Sequence, residues 1–138
     1  MEPGGGPAYR IPPADLVATL AQRELRAARK EAPTQAMIHR SVEARLREED
    51  PAFRLGPARL RSILLRSPRV SVRIQYAQRA GRRPLRSCPV CGEEIRPLRN
   101  QTLEGDTVIL GWRCTRCPFW TPVRRRVPAR YAFRWVGR

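Results

Sequence analysis

The sequence predicts an α+β fold, with three helices in an N-terminal module and a small three-stranded antiparallel module after them. Apolar residues recur at helical spacing through the first half of the chain. All four cysteines lie between positions 88 and 117, in two closely spaced pairs with turn residues between them. Neither half of a 138-residue chain can bury a large core, so a metal ion is the expected support for the smaller module.

The first two helices are predicted over residues 15–32 and 34–49. Asp15 and Thr34 are the expected N-caps, and Pro33 separates the two helices because proline disfavours helical geometry in the residue before it. Residues spaced by three or four share a helix face, so the apolar positions define one face of each helix. These positions are Leu16, Val17, Leu20, Ala21 and Leu25 in the first helix, and Ile38, Val42 and Leu46 in the second.

A third helix is predicted over residues 57–66. Pro57 is tolerated in its first turn, where the missing N–H has no helical partner to lose. Leu60, Ile63 and Leu64 are expected to face the core. A half-buried strand should follow, since apolar residues then alternate with polar ones. The alternating apolar residues are Val70, Val72, Ile74 and Tyr76.

Three helices, a short extended link before the third and a strand after it resemble a winged helix-turn-helix domain, over residues 14–80. The resemblance implies that the helix over 57–66 is a recognition helix, which would present Arg59, Arg61 and Arg66 to DNA. A plain three-helix bundle with one added strand is the alternative.

The cysteine spacing predicts a metal site. Cys88 and Cys91 form one pair, Cys114 and Cys117 form the other, and two residues separate the members of each pair. This spacing lets two thiolates reach one ion from a tight turn, and four cysteines in tetrahedral geometry are typical of structural zinc. Such a site leaves no open position for water, so one structural Zn²⁺ is expected. Iron in a rubredoxin-like site and a redox dithiol are the alternatives.

The residues between and after the cysteine pairs predict a hairpin and a third strand. This order of pair, hairpin, pair and strand resembles the zinc ribbons of archaeal and eukaryotic transcription factors and of some ribosomal proteins. Pro118 departs from that pattern, in which a glycine is common. The expected strands cover residues 94–98, 107–113 and 119–127, with a turn over 100–106.

The chain is therefore expected to have four segments. They are a flexible N-terminus (1–13), a helical winged-helix-like domain (14–80), a basic linker that could also be a wing or hinge (81–87), and a four-cysteine zinc ribbon with a basic, aromatic C-terminal strand (88–138). In that last strand Tyr131, Phe133 and Trp135 share one face, and could either pack in a core or stack on bases. The combination of modules resembles small archaeal proteins.

The formal net charge is +16, from 28 basic and 12 acidic residues. Four thiolates and one Zn²⁺ would lower it only to +14. A charge of this size favours a polyanionic partner, foremost nucleic acid, with a solvated basic surface as the alternative. All but one of the basic residues are arginines, whose planar guanidinium suits phosphates and base edges. The candidate nucleic-acid contacts are Arg59, Arg61, Arg66, Arg79, Arg82, Arg83, Arg86, Arg113, Arg116, Arg124, Arg125 and Arg126.

No catalytic constellation is visible in the sequence, so the protein is not expected to be an enzyme or to have a small-molecule substrate. His39, the single histidine, lies in a predicted helix and is expected to be a packing or surface residue. We expect a nucleic-acid-binding protein, with DNA favoured over RNA, acting as a transcription regulator. An accessory subunit that docks on RNA polymerase or the ribosome through the 100–106 turn is the alternative.

The expected location is cytoplasmic, on the nucleoid or the ribosome. No apolar run approaches the ~20 residues that a membrane span needs, and cysteines in spaced pairs favour metal binding in a reducing compartment.

Overall fold

The computed structural model of the protein describes residues 8–78 and 85–137, and its α+β character confirms the predicted class. Strand β1 pairs with β5, and β2, β3 and β4 form a three-stranded sheet in that order. The elements are α1 (Ala14–Ala27), α2 (Gln35–Glu49), α3 (Pro57–Leu65), β1 (Val70–Gln78), β2 (Ile95–Gln101), β3 (Thr107–Cys114), β4 (Trp120–Pro122) and β5 (Arg126–Trp135).

The described chain divides into two compact units. One contains the residues up to Ser71 and those from Ala132 onward, and the other is Val72–Tyr131. This division falls elsewhere than the expected boundaries at 80 and 88, because the end of β5 packs with the helices.

Helix α1 differs from the prediction at both ends. Pro13 is its N-cap residue and makes no side-chain cap, so the expected Asp15 cap is wrong; the Asp15 carboxylate accepts a hydrogen bond from the Leu16 N–H instead. The helix ends at Ala27 and does not reach residue 32. Leu25 is its last buried residue, and a helix with no further apolar face gains little from continuing.

Helices α2 and α3 begin as predicted. The Thr34 hydroxyl accepts a hydrogen bond from the Met37 N–H at 3.3 Å, which caps α2. Gly56 precedes α3, with Pro57 in the first turn. The extended link before α3 makes a parallel bridge between Arg10 and Phe53. The apolar faces meet in a core formed by Val17, Leu20, Ala21, Leu25, Ile38, Val42, Leu46, Leu55, Leu60 and Leu64.

The predicted strand after α3 is confirmed, since half-buried and exposed residues alternate along most of β1. Its partner is β5, near the C-terminal end, and not a neighbouring strand of the kind that forms a wing. The wing or linker expected after β1 falls largely on residues 79–84, with Arg79, Arg82 and Arg83, and lies outside the described residues.

The end of β5 belongs to the helical core. Phe133 is fully buried and its N–H donates to the Pro33 carbonyl at 3.0 Å. Trp135 is buried too, and the Arg26 guanidinium lies 5.5 Å from the centre of its ring. These two aromatic residues therefore pack, and are not available to stack on bases; Tyr131 is half-buried.

The three-stranded sheet is antiparallel, as predicted. Its third strand is shorter than expected: β4 ends at Pro122, and the chain turns so that the Arg126 N–H reaches the Thr121 hydroxyl at 2.9 Å. Strands β3 and β4 approach closely at Gly111, where an added Cβ would lie 2.1 Å from the Thr121 carbonyl oxygen. None of the helices in the described parts of the chain has the length and apolar character for crossing a membrane.

Candidate metal centre

The first cysteine pair lies in a tight turn that leads into β2. The Gly92 N–H donates to the Cys88 carbonyl at 2.8 Å, and the Cys88 N–H donates to the Glu93 carbonyl at 2.9 Å. Gly92 has a φ of 81°, a conformation that glycine adopts without steric cost. The Val90 N–H points at the Cys88 sulfur at 3.3 Å, where it can offset thiolate charge.

The second pair forms a matching turn at the end of β3. The Cys114 N–H donates to the Phe119 carbonyl at 2.9 Å, the same five-residue offset as in the first turn. The Arg116 and Cys117 N–H groups both point at the Cys114 sulfur, at 3.3 and 3.4 Å. The two turns therefore present their leading cysteines in the same way.

Pro118 occupies the position that Gly92 has in the first turn, and proline has no N–H to donate. The counterpart of the bond from Gly92 to Cys88 is therefore missing. Thr115 supplies another anchor, because its N–H and its hydroxyl both donate to the Glu94 carbonyl, at 3.2 and 3.1 Å. The departure at Pro118 changes how this turn is held, while its two cysteines still reach the common site.

The four cysteine sulfurs converge on one point. All lie within 4.8 Å of one another, with Cys88 and Cys117 3.5 Å apart and Cys91 and Cys114 also 3.5 Å apart. Sulfurs about 2.3 Å from a tetrahedral metal lie about 3.8 Å from each other, so this spacing fits one ion.

No family model, curated protein or solved structure matches the chain.

The thiols are free and crowded. The hydrogen bond between Cys88 and Cys117 lowers the pKa of Cys88 to about 5 and raises the pKa of Cys117. Burial raises the pKa of Cys91 to about 11. Thiolates this close also repel one another, so the four sulfurs disfavour carrying negative charge together. Four thiolates together need a cation between them, and the cluster can hold one metal ion.

The opposite face of the same sheet is exposed and basic. Register places Arg96 of β2 opposite Arg113 of β3, and Arg113 opposite Trp120 of β4. Residues opposite each other on neighbouring strands point to the same face, so the three form a row, here called the outer row. Arg96 and Arg113 are exposed, and they line a shallow groove of about 490 Å³.

Arg126 lies at the Trp120 end of the outer row. Its guanidinium carbon is 3.5 Å from the centre of the Tyr76 ring and 4.2 Å from that of Trp120, and its Nε donates to the Trp120 carbonyl at 3.1 Å. Trp120 nevertheless keeps 45% of its surface exposed. Contacts on both sides of the guanidinium therefore hold Arg126 in place.

Two of the three arginines that the third helix was expected to present to DNA are engaged within their own unit. Arg59 donates to the Pro12 carbonyl at 2.7 Å, and Arg61 to the Gln35 side-chain oxygen at 3.4 Å; both are half-buried. Arg66, just after the helix, is exposed.

The remaining predicted contacts spread over the second unit. Arg116 pairs with Glu93 at 3.1 Å, whereas Arg86 and Arg124 are exposed. Arg125 is half-buried, and within the described residues its buried Nε has no hydrogen-bond partner.

Sequence reasoning missed Arg96. Its role follows only from strand register, which the bulge between Leu98 and Arg99 makes hard to count from the sequence. His39 is half-buried and hydrogen-bonds to the Leu55 carbonyl, which agrees with its expected packing role.

Proposed function

We propose that the protein binds nucleic acid through a zinc ribbon that one structural Zn²⁺ holds together. The cysteine cluster supports the metal part of the proposal, because four sulfurs without an open position suit a structural ion and not a catalytic one. The role that the charge favours is binding of a polyanion. We infer no catalytic activity.

The observation that carries the nucleic-acid part is the pairing of Arg96 with Arg113 across β2 and β3. Like charges directly opposite each other destabilise a sheet, so this arrangement costs folding stability unless an anion lies between them. Glu94 gives Arg96 an ion pair at 3.4 Å, but both side chains are about two-thirds exposed and such pairs contribute little. A backbone phosphate is the anion that best fits two adjacent guanidinium groups on a strongly basic chain.

A DNA-binding transcription regulator is the finer role that we propose within this class. Helix α3 gives it less support than the zinc-bearing sheet, because Arg59 and Arg61 already donate to groups of their own unit. Binding through the sheet does not require a recognition helix.

The test is a titration of the zinc-loaded protein with labelled duplex DNA, single-stranded DNA and RNA over a series of salt concentrations. Each neutralised phosphate contributes about −0.9 for duplex DNA, or about −0.7 for single strands, to the slope of log affinity against log salt. We expect a slope on the order of −4 or steeper for at least one of them. Absent or salt-insensitive binding to all three would refute the proposal.

The hairpin of β2 and β3 favours a second candidate, an accessory subunit of RNA polymerase or the ribosome. Val108, Ile109 and Leu110 are consecutive and exposed, and Leu103 in the turn is fully exposed. Exposed apolar residues that lie together mark protein interaction surfaces more often than isolated ones do. The expected docking tip at 100–106 is thus continuous with an apolar strand.

Co-sedimentation after nuclease treatment separates the two candidates. Retention of the protein on polymerase or ribosomes favours docking, and release with the nucleic acid favours direct binding. A variant carrying Ile109→Ser and Leu110→Ser should lose retention only if the hairpin docks.

Metal analysis of the purified protein should find one zinc per chain, and iron in its place would overturn the choice of metal.

A further inference from the structure

We propose that the outer row is a binding site for single-stranded nucleic acid, in which Arg96 and Arg113 hold a phosphate and Trp120 stacks on an unpaired base. This inference rests on the proposed function and names its substrate class. It goes further by separating single strands from duplexes and by assigning one residue to the base.

The stacking part rests on Trp120. A tryptophan on the exposed face of a sheet, in a strand of three residues, would be expected to fold down onto neighbouring apolar surface. Trp120 instead stays 45% exposed, while Trp112 in the next strand is buried. The two tryptophans differ because register places Trp112 on the inner face, opposite Thr121, and Trp120 on the outer face, opposite Arg113.

Arg126 makes this ring a rigid platform. Its guanidinium lies over Trp120 at 4.2 Å and also over Tyr76 at 3.5 Å. A cation over one side of an aromatic ring holds the ring in position, and arginine beside a stacking aromatic adds to base binding. The Trp120 side chain is therefore already ordered before the base binds, so stacking costs less side-chain entropy.

The phosphate part rests on the neighbouring strands. Arg113 lies directly between Arg96 and Trp120 in the row, and side chains opposite each other have Cβ atoms about 5 Å apart. A phosphate at the two arginines and a base at the tryptophan are then separated by about one nucleotide. Arg96 and Arg113 also line an open groove, which leaves both guanidinium groups accessible to a phosphate.

The arrangement fits a single strand and not a duplex. In a duplex the base faces are covered by their neighbours, so an exposed ring on a sheet cannot reach one without unstacking it. In a single strand the faces are accessible, and alternating phosphate and stacking contacts recognise it with little sequence preference. DNA and RNA single strands share this chemistry.

The experiment measures fluorescence anisotropy of labelled oligothymidylate, oligouridylate and a mixed-sequence duplex with the full-length, zinc-loaded protein. The variants are Trp120→Ala, Trp120→Phe, Arg96→Gln and Arg113→Gln. Arg130→Gln is the matched control, because Arg130 is an exposed arginine of the same unit outside the row. Zinc content and thermal unfolding of each variant confirm that it is folded.

We expect both single strands to bind more tightly than the duplex. Trp120→Ala should weaken single-strand binding about 5- to 150-fold, with Trp120→Phe in between, because alanine removes the stacking surface and phenylalanine keeps part of it. Because Arg96 and Arg113 share one phosphate, Arg96→Gln and Arg113→Gln should each reduce the steepness of the salt slope by part of about 0.7, and the two changes combined by about 0.7. Arg130→Gln should leave the slope unchanged.

Two other results are distinguishable. If the unaltered protein binds none of the three probes, the proposed function itself fails. If it binds but the duplex is preferred, or if all row variants bind as well as the Arg130→Gln control, nucleic-acid binding stands and the outer row is not its site. Tighter binding of oligouridylate than of oligothymidylate would identify RNA as the ligand, and tighter binding of oligothymidylate would identify DNA.

Discussion

The contact between β3 and β4 at Gly111 gives a sharp prediction for Gly111→Ala. The added Cβ would lie 2.1 Å from the Thr121 carbonyl oxygen and 2.9 Å from the Pro122 Cα. Both obstacles are backbone atoms, so no side-chain rotation relieves the clash. A carbon needs about 3.3 Å from a carbonyl oxygen, and the strands would have to separate by about 1 Å at this point.

The cost of that separation follows from what joins the two strands. Inserting a methyl group into a packed site costs about 1–3 kcal/mol, and weakening one or two of the backbone hydrogen bonds between β3 and β4 adds about 1 kcal/mol each. We therefore expect Gly111→Ala to lower the free energy of unfolding by about 2–5 kcal/mol. Detachment of β4 would also displace Trp120 and so remove one end of the outer row.

Two other glycines provide matched controls. Gly56→Ala meets no atom within 4 Å, and at this N-cap the poorer capping by alanine, about 0.5 kcal/mol, is offset by a similar gain from the less flexible unfolded chain. Gly92→Ala also meets no atom, but its φ of about 81° imposes about 1–2 kcal/mol of backbone strain. The series therefore contains one variant with a steric cost (Gly111→Ala), one with a conformational cost (Gly92→Ala) and one with neither (Gly56→Ala).

The assay is urea unfolding of the zinc-loaded protein, followed by tryptophan fluorescence. Trp112 is buried next to Gly111 and reports on the sheet. The expected order of destabilisation is Gly111→Ala, then Gly92→Ala, then Gly56→Ala. If Gly111→Ala unfolds at the same urea concentration as Gly56→Ala, the close approach of β4 to β3 is wrong.

Three further predictions concern the core, a helix cap and the metal. Phe133→Ala should lower the free energy of unfolding by about 3–5 kcal/mol because the ring is fully buried, whereas Val136→Ala, at an exposed site, should change it by less than about 0.5 kcal/mol; urea unfolding compares the two. Thr34→Ala should cost about 1 kcal/mol through loss of the α2 cap, and equal stability would contradict that hydrogen bond. Competition with a zinc indicator should show apparent affinity falling as pH is lowered, since protons compete with the metal for the thiolates, and a flat profile would argue against sulfur ligands.

The helices could be predicted because their determinants are local. Thr34 beside its helix and Pro57 in a first turn are visible in the sequence, and the four-residue spacing of Ile38, Val42 and Leu46 fixes a face. The end of α1 could not be located, since residues 26–32 contain good helix formers and only the absence of a buried partner beyond Leu25 stops the helix.

The metal site could be predicted for a similar reason, because two cysteines separated by two residues can reach one ion from a single tight turn, and this depends only on local sequence. The pairing of β1 with β5 could not, as it joins segments about 50 residues apart around the whole cysteine module. Phe133 and Trp135 became core residues for the same reason, and their alternation alone did not distinguish packing from base stacking. Long-range pairing decides these features.

The metal centre and the outer row depend on one register, and this links them physically. Along β3, Trp112 and Cys114 point to the buried face, while Arg113 between them points out. A shift of one residue would exchange the two faces, so whatever fixes the cysteine sulfurs also fixes the row. For a sheet this small, we expect an ion bound by the four cysteines to be the chief constraint on its register.

On the proposed function, chelation should therefore abolish nucleic-acid binding through loss of the outer row, although the metal would not touch the nucleic acid. Titrating the protein with a chelator, while anisotropy of a bound oligonucleotide and the far-UV helical signal are both followed, tests this link. Binding should be lost together with zinc and return when zinc is restored, and the helical signal should persist because α1–α3 have their own core. Binding that survives complete removal of zinc would show that the arginines act without an ordered sheet, as a merely basic chain would.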